Sequence, residues 1–128
     1  MRTALELADR TLAALRTALG DDHQFTLTCA VNRANCLHDL ARVREAEIQL
    51  RETLERLAKA LGPRHPDTLL CQANLAVTLR TSGKTDDAIR LQQVVMVTMR
   101  EVLIEEHPSI IALREWRLQS RDLEVQPT

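Results

Sequence analysis

The sequence predicts an all-α fold, a right-handed α-solenoid of about six helices arranged as antiparallel pairs. Three observations predict it. A segment recurs every 42 residues, as "LGDDHQFTL" from Leu19, "LGPRHPDTL" from Leu61 and "LIEEHPSII" from Leu103. Between the recurrences, apolar residues return on a 3.6-residue period. The chain also holds only three Gly, four Pro, one Phe and one Trp, too few turn and aromatic residues for a sandwich or barrel. Units of this length cannot bury their apolar face alone, so they stack.

The helices are taken in chain order. A first one near 2–18 carries Ala4, Thr11, Leu12 and Leu15, the positions that recur as Ala46, Thr53, Leu54 and Leu57. The next, near 24–40, holds Asn32, Ala34 and Leu37, which recur as Asn74, Ala76 and Leu79. The span 44–60 is clearest, because Ala46, Leu50, Leu54, Leu57 and Leu61 form one stripe with charged residues opposite. The span 66–81 starts on Pro66, whose missing N–H costs nothing in a first turn, and Asp67 suits the positive helix N-terminus. Gly83 in "TSGKT" stops it. The span 85–103 repeats the stripe with Ala88, Val95, Met96 and Met99. The last, 108–120, is more polar. Arg114, Glu115, Arg117 and Arg121 replace Gln72, Ala73, Leu75 and Leu79, as a unit ending the stack in water requires. One domain is expected over residues 1–120, with a lone helix 2–18, pairs 24–60 and 66–103, a capping helix 108–120 and a loose tail 121–128.

Net charge is −1 with pI near 6.4, so no global field favours nucleic acid or an anionic membrane. No run approaches the roughly 18 apolar residues of a membrane span. The N-terminus lacks an apolar signal core, and three cysteines without a CxxC suit a reducing cytoplasm. Cys29 and Cys71 are themselves one repeat apart and read as small buried hydrophobes.

His23, His65 and His107 recur just before a helix start. Equivalent residues of stacked units lie about 10 Å apart, too far to share a metal with bonds near 2 Å. They read as caps at helix entries, and no metal or cofactor is expected. No phosphate loop, GxSxG, HExxH or supported carboxylate pair emerges, so no catalytic residue is expected and the chain does not read as an enzyme.

The segment "LGPRHPDTLLCQANLAVTLRTSGKTDDA", Leu61–Ala88, resembles the 42-residue tetratricopeptide repeat of kinesin light chains and of many bacterial signalling proteins. The first copy, "LGDDHQFTLTCAVNRANCLHDLARVREA", departs from it at Gln24 and Ala41, in place of Pro and the turn Gly. The third keeps His107 and Pro108 but loses the Gly and the Asn-Leu-Ala.

The resemblance implies a non-catalytic protein- or peptide-binding scaffold whose first helices line a concave groove. Family arrays use the Asn of "NLA" on the peptide backbone; the matching residues here are Asn32 and Asn74. Asn is a poor mid-helix residue, so its recurrence needs a reason, either a ligand or a hydrogen bond to the neighbouring helix. Thr28, Asn35, Leu70, Val77 and Arg80 would set specificity. Trp116, in the same phase of the last unit, is either packed on the penultimate helix or an exposed anchor. The chain begins inside a unit. This leads to two expectations, a piece of a longer array or a homodimer through an uncapped terminal face. The resemblance also implies a third role, as the sensor part of a larger NTPase signalling protein.

Overall fold

The computed structural model describes residues 3–103 and 107–119. Six helices run through them: α1 (Ala4–Leu19), α2 (Gln24–Asp39), α3 (Val43–Leu61), α4 (Pro66–Thr81), α5 (Thr85–Val102) and α6 (Pro108–Arg114). Helices α1 to α5 lie within two residues of the periodic stretches that predict them. Helix α6 does not run to residue 120; it stops at Arg114, and the expected tail 121–128 lies outside the described residues.

Four of the six helices, α1, α2, α4 and α6, start on a side-chain cap. Thr3 and Glu6 form a capping box on α1. His23, His65 and His107 cap α2, α4 and α6. Each Nδ1 accepts a backbone N–H two residues on, from Phe25 at 3.0 Å, Asp67 at 3.0 Å and Ser109 at 3.1 Å. The recurring histidines therefore satisfy helix-entry donors that would otherwise have no partner.

The first helices of the units also share an ending. After α2, Ala41 takes a left-handed φ of 62° and the Arg42 N–H donates to the Leu37 carbonyl at 2.9 Å. After α4, Gly83 does so at φ 88° and the Lys84 N–H donates to the Leu79 carbonyl at 2.9 Å. After α6, Trp116 does so at φ 59° and the Arg117 N–H donates to the Ala112 carbonyl at 2.7 Å. All three are Schellman stops. The third falls much earlier in its unit than the others, which is why α6 is short.

Contacts run from each helix to the next, as in a solenoid. Ala34, Ala46, Ala76 and Ala88 are fully buried, so small residues recur one repeat apart within the packed helix pairs. Leu27, Leu37, Leu50, Leu57, Leu75 and Leu79 fill the space around them. Truncating one such buried leucine to Ala removes about 2–5 kcal/mol. Cys29 and Cys71 occupy one repeat position, their thiols directed at the Ala8 and Leu50 carbonyls of the preceding helix at 3.9 and 3.5 Å. Burial pushes the Cys71 thiol up to about 12, so it behaves as a small hydrophobe rather than a nucleophile. Helix α1 buries only Leu12 and leaves Leu7 exposed.

Candidate functional site

Helix α4 lies at the centre of the stack. It packs on α2, α3, α5 and α6, and eleven of its sixteen residues are buried. Among the described residues, the backbone of α2 also approaches α4 and that of α4 approaches α6, whereas the backbone of α3 approaches neither α1 nor α5. First helices that approach one another while second helices splay apart make a curved stack. The inner face of that curve is formed by α2, α4 and α6.

A polar ladder ties α2 to α4 along this face. The Gln24 amide donates to Asp67 at 2.7 Å, Asn74 Nδ2 lies 3.3 Å from Asn35 Oδ1, and His38 Nε2 lies 3.1 Å from Thr81 Oγ1. Gln24, Thr28, Val31, Asn35 and His38 step by four, three, four and three residues, one stripe of a helix. Between the rungs, Thr28 and Val31 of α2 and Asp67 and Leu70 of α4 line one small pocket.

The centre of the ladder holds a piece of main chain. Beyond the stop at Trp116 the chain turns back across the inner face. The Gln119 N–H donates to Asn74 Oδ1 at 2.7 Å, and the Gln119 carbonyl accepts from Asn74 Nδ2 at 2.6 Å. The same carbonyl accepts from Asn35 Nδ2 at 2.8 Å. One carboxamide thus pairs with both main-chain groups of one residue, and a second carboxamide supports it. Asn74 is 0% exposed with this segment in place. The Arg80 guanidinium lies over the Trp116 ring, 4.8 Å from its centroid, in a cation–π contact.

Residues 30–96 match the family model of the tetratricopeptide repeat. The chain belongs to the tetratricopeptide repeat family. Such arrays are typically non-catalytic scaffolds for protein–protein contact. Two solved structures similar to it are the nearly identical TPR-like repeats of a Podosopora anserina protein designated a kinesin light chain, and a single-substitution variant of the same repeats. Each is 28% identical with a TM-score of 0.78, over 87% of this chain. The chain spans about half the length of those chains, 53% of the parent and 52% of the variant. No curated protein matches the chain.

The tetratricopeptide array distributes the expected site residues unevenly. Asn35, Asn74, Arg80 and Trp116 come together around the segment 116–119. Of the two in-phase asparagines expected on a ligand, Asn74 holds the segment, and its rung to α2 is Asn35, about one helical turn beyond Asn32. Equivalent residues of neighbouring first helices point the same way rather than at each other, and the rungs join residues 39 or 43 apart. Asn32 is half-buried on α2. Thr28 is buried and its hydroxyl donates to the Gln24 carbonyl at 2.9 Å, so it offers a ligand little beyond its methyl group. Val77 is buried, and Leu70 lines a cleft of about 680 Å³ between the N-terminal ends of α4 and α6, together with Pro66, Pro108, Ile111 and Gln119. Trp116 is not on the last helix but in the turn after it. Gln119, the residue actually held, carries no sequence signal that marks it.

Among the described residues, no group of three or more His, Cys, Asp or Glu side chains is placed to hold a metal, and no helix is long and apolar enough to cross a membrane.

Proposed function

We propose that this tetratricopeptide array is a non-catalytic binding module whose inner groove takes an extended peptide segment of a protein partner. The observation that carries the reading is the pairing of Asn74 with both the N–H and the C=O of one main-chain residue. That arrangement suits any extended peptide regardless of side chain, because every non-proline residue offers the same donor and acceptor. Asn35 adds a second donor to the same carbonyl. Side-chain preference then falls to the margins, where Arg80 favours an aromatic ring and the Leu70 cleft favours an apolar residue. Free thiols suit a cytoplasmic setting for such a module.

A phage-displayed library of random decapeptides, selected on the chain, tests this. Selected peptides should lose about tenfold or more in affinity on a variant carrying both Asn35→Ala and Asn74→Ala, since two or three main-chain hydrogen bonds go with the amides. Peptides that bind the double variant as tightly as the parent would place the partner on another surface.

A further inference from the structure

We infer that residues 116–119 are a built-in ligand of the groove, which a partner segment must displace before it reaches Asn74. This rests on the groove reading above and adds a competitor to it.

Four observations converge on the segment. Helix α6 is ended by a Schellman stop whose left-handed position is filled by Trp116, a bulky residue that disfavours φ of 59°. A strained turn persists only where its surroundings hold it. Here the Arg80 guanidinium covers the Trp116 ring at 4.8 Å. Asn74 and Asn35 hold both main-chain groups of Gln119. The Gln119 side-chain amide is anchored as well, donating to the Ser109 carbonyl at 3.3 Å. The turn therefore points the chain into the groove and the groove retains it.

The occupant also describes what it resembles. A competing segment needs an extended main chain with a free N–H at the clamped position, which excludes proline there. An aromatic side chain three residues earlier, as Trp116 stands to Gln119, would take over the Arg80 contact.

The probe is a fluorescein-labelled peptide of sequence REWRLQS, residues 114–120, with binding read by fluorescence polarisation on full-length chains. Gln119→Pro removes the N–H that Asn74 accepts and the side-chain amide that reaches Ser109, and leaves the groove residues in place. It should bind the probe about tenfold more tightly than the parent, the worth of the two hydrogen bonds that the competing segment loses. Adding Asn74→Ala to Gln119→Pro should abolish that gain. Equal binding by the parent and Gln119→Pro overturns the built-in ligand but leaves the groove reading standing. Binding by neither, or undiminished binding by the double variant, overturns both. Should Gln119→Pro lose helicity by circular dichroism, the parent chain answers the same question. Excess probe should then deprotect the Gln119 amide in hydrogen exchange, and unchanged protection overturns the proposal.

Discussion

The ends of α4 and α6 make the same turn with the same pair of backbone hydrogen bonds, and they lead to different places. At the end of α4, Gly83 supplies the left-handed residue and the chain goes straight into α5. Lys84 then reaches back to Glu47 on α3 at 2.9 Å and locks the turn to the preceding unit. At the end of α6, Trp116 supplies the left-handed residue early, and the chain crosses the inner face to Asn74. The first turn propagates the solenoid. The second ends it and fills its groove. A Schellman stop fixes only where a helix ends. The path of the chain beyond it is decided by the groups within reach, a carboxylate in one case and two carboxamides in the other.

The largest break in this comparison comes from the carboxamide side. Asn74→Ala should cost about 2 kcal/mol of unfolding free energy in urea titration, because it removes two hydrogen bonds to Gln119 and leaves a gap beneath the segment. A loss below about 0.5 kcal/mol would mean that the segment contributes nothing to the fold.

The carboxylate side should come next. Burial alone would raise the Glu47 carboxyl, but the hydrogen bonds from Lys84 and Arg51 outweigh it and hold the group below its ordinary value. A carboxyl depressed in the folded state adds stability above its unfolded value, near 4.3, and loses it as pH falls through the folded value. Glu47→Gln should therefore cost about 1.5 kcal/mol at neutral pH. The difference between the two chains should shrink below about pH 4. A gap that persists undiminished at low pH would contradict the assignment.

The glycine position sharpens the comparison at smaller amplitude. A Cβ added at Gly83 would meet no atom within 4 Å, so the cost of Gly83→Ala is backbone strain alone. That cost should be about 1 kcal/mol. The equivalent turn after α2 already carries this burden at Ala41. Ala41→Gly should accordingly stabilise the chain, by about 0.5 kcal/mol, as a rise in melting temperature. If both substitutions moved stability in the same direction, the two turns would not be equivalent.

Much of this architecture is legible in the residues. The 42-residue recurrence and the leucine stripes place the five long helices. The recurring histidines read as helix-entry groups, and each is an N-cap. Cys29 and Cys71 read as buried repeat positions, and each thiol faces a carbonyl of the helix before it. Asn74 stands out because an asparagine in mid-helix needs a partner. The pattern marks Asn32 and Asn74 as equivalent, but equivalent residues point the same way, so which residue of α2 reaches Asn74 is settled by packing, and it is Asn35. Nor does it carry the end of α6. A Schellman stop usually shows itself through glycine, and a tryptophan in that position is held in part by Arg80, Asn35 and Asn74, which lie far away in sequence. Gln119 is recruited through its main chain, and main-chain groups are the same at every residue but proline.

Hydrogen exchange of the Gln119 amide tests most directly whether the inner carboxamides bind extended main chain. In the parent chain this amide should exchange far more slowly than an open chain at the same pH. In Asn74→Ala it should revert to the open-chain rate while the amides of α4 stay protected. A Gln119 amide that exchanges at the open-chain rate in the parent chain would contradict the account.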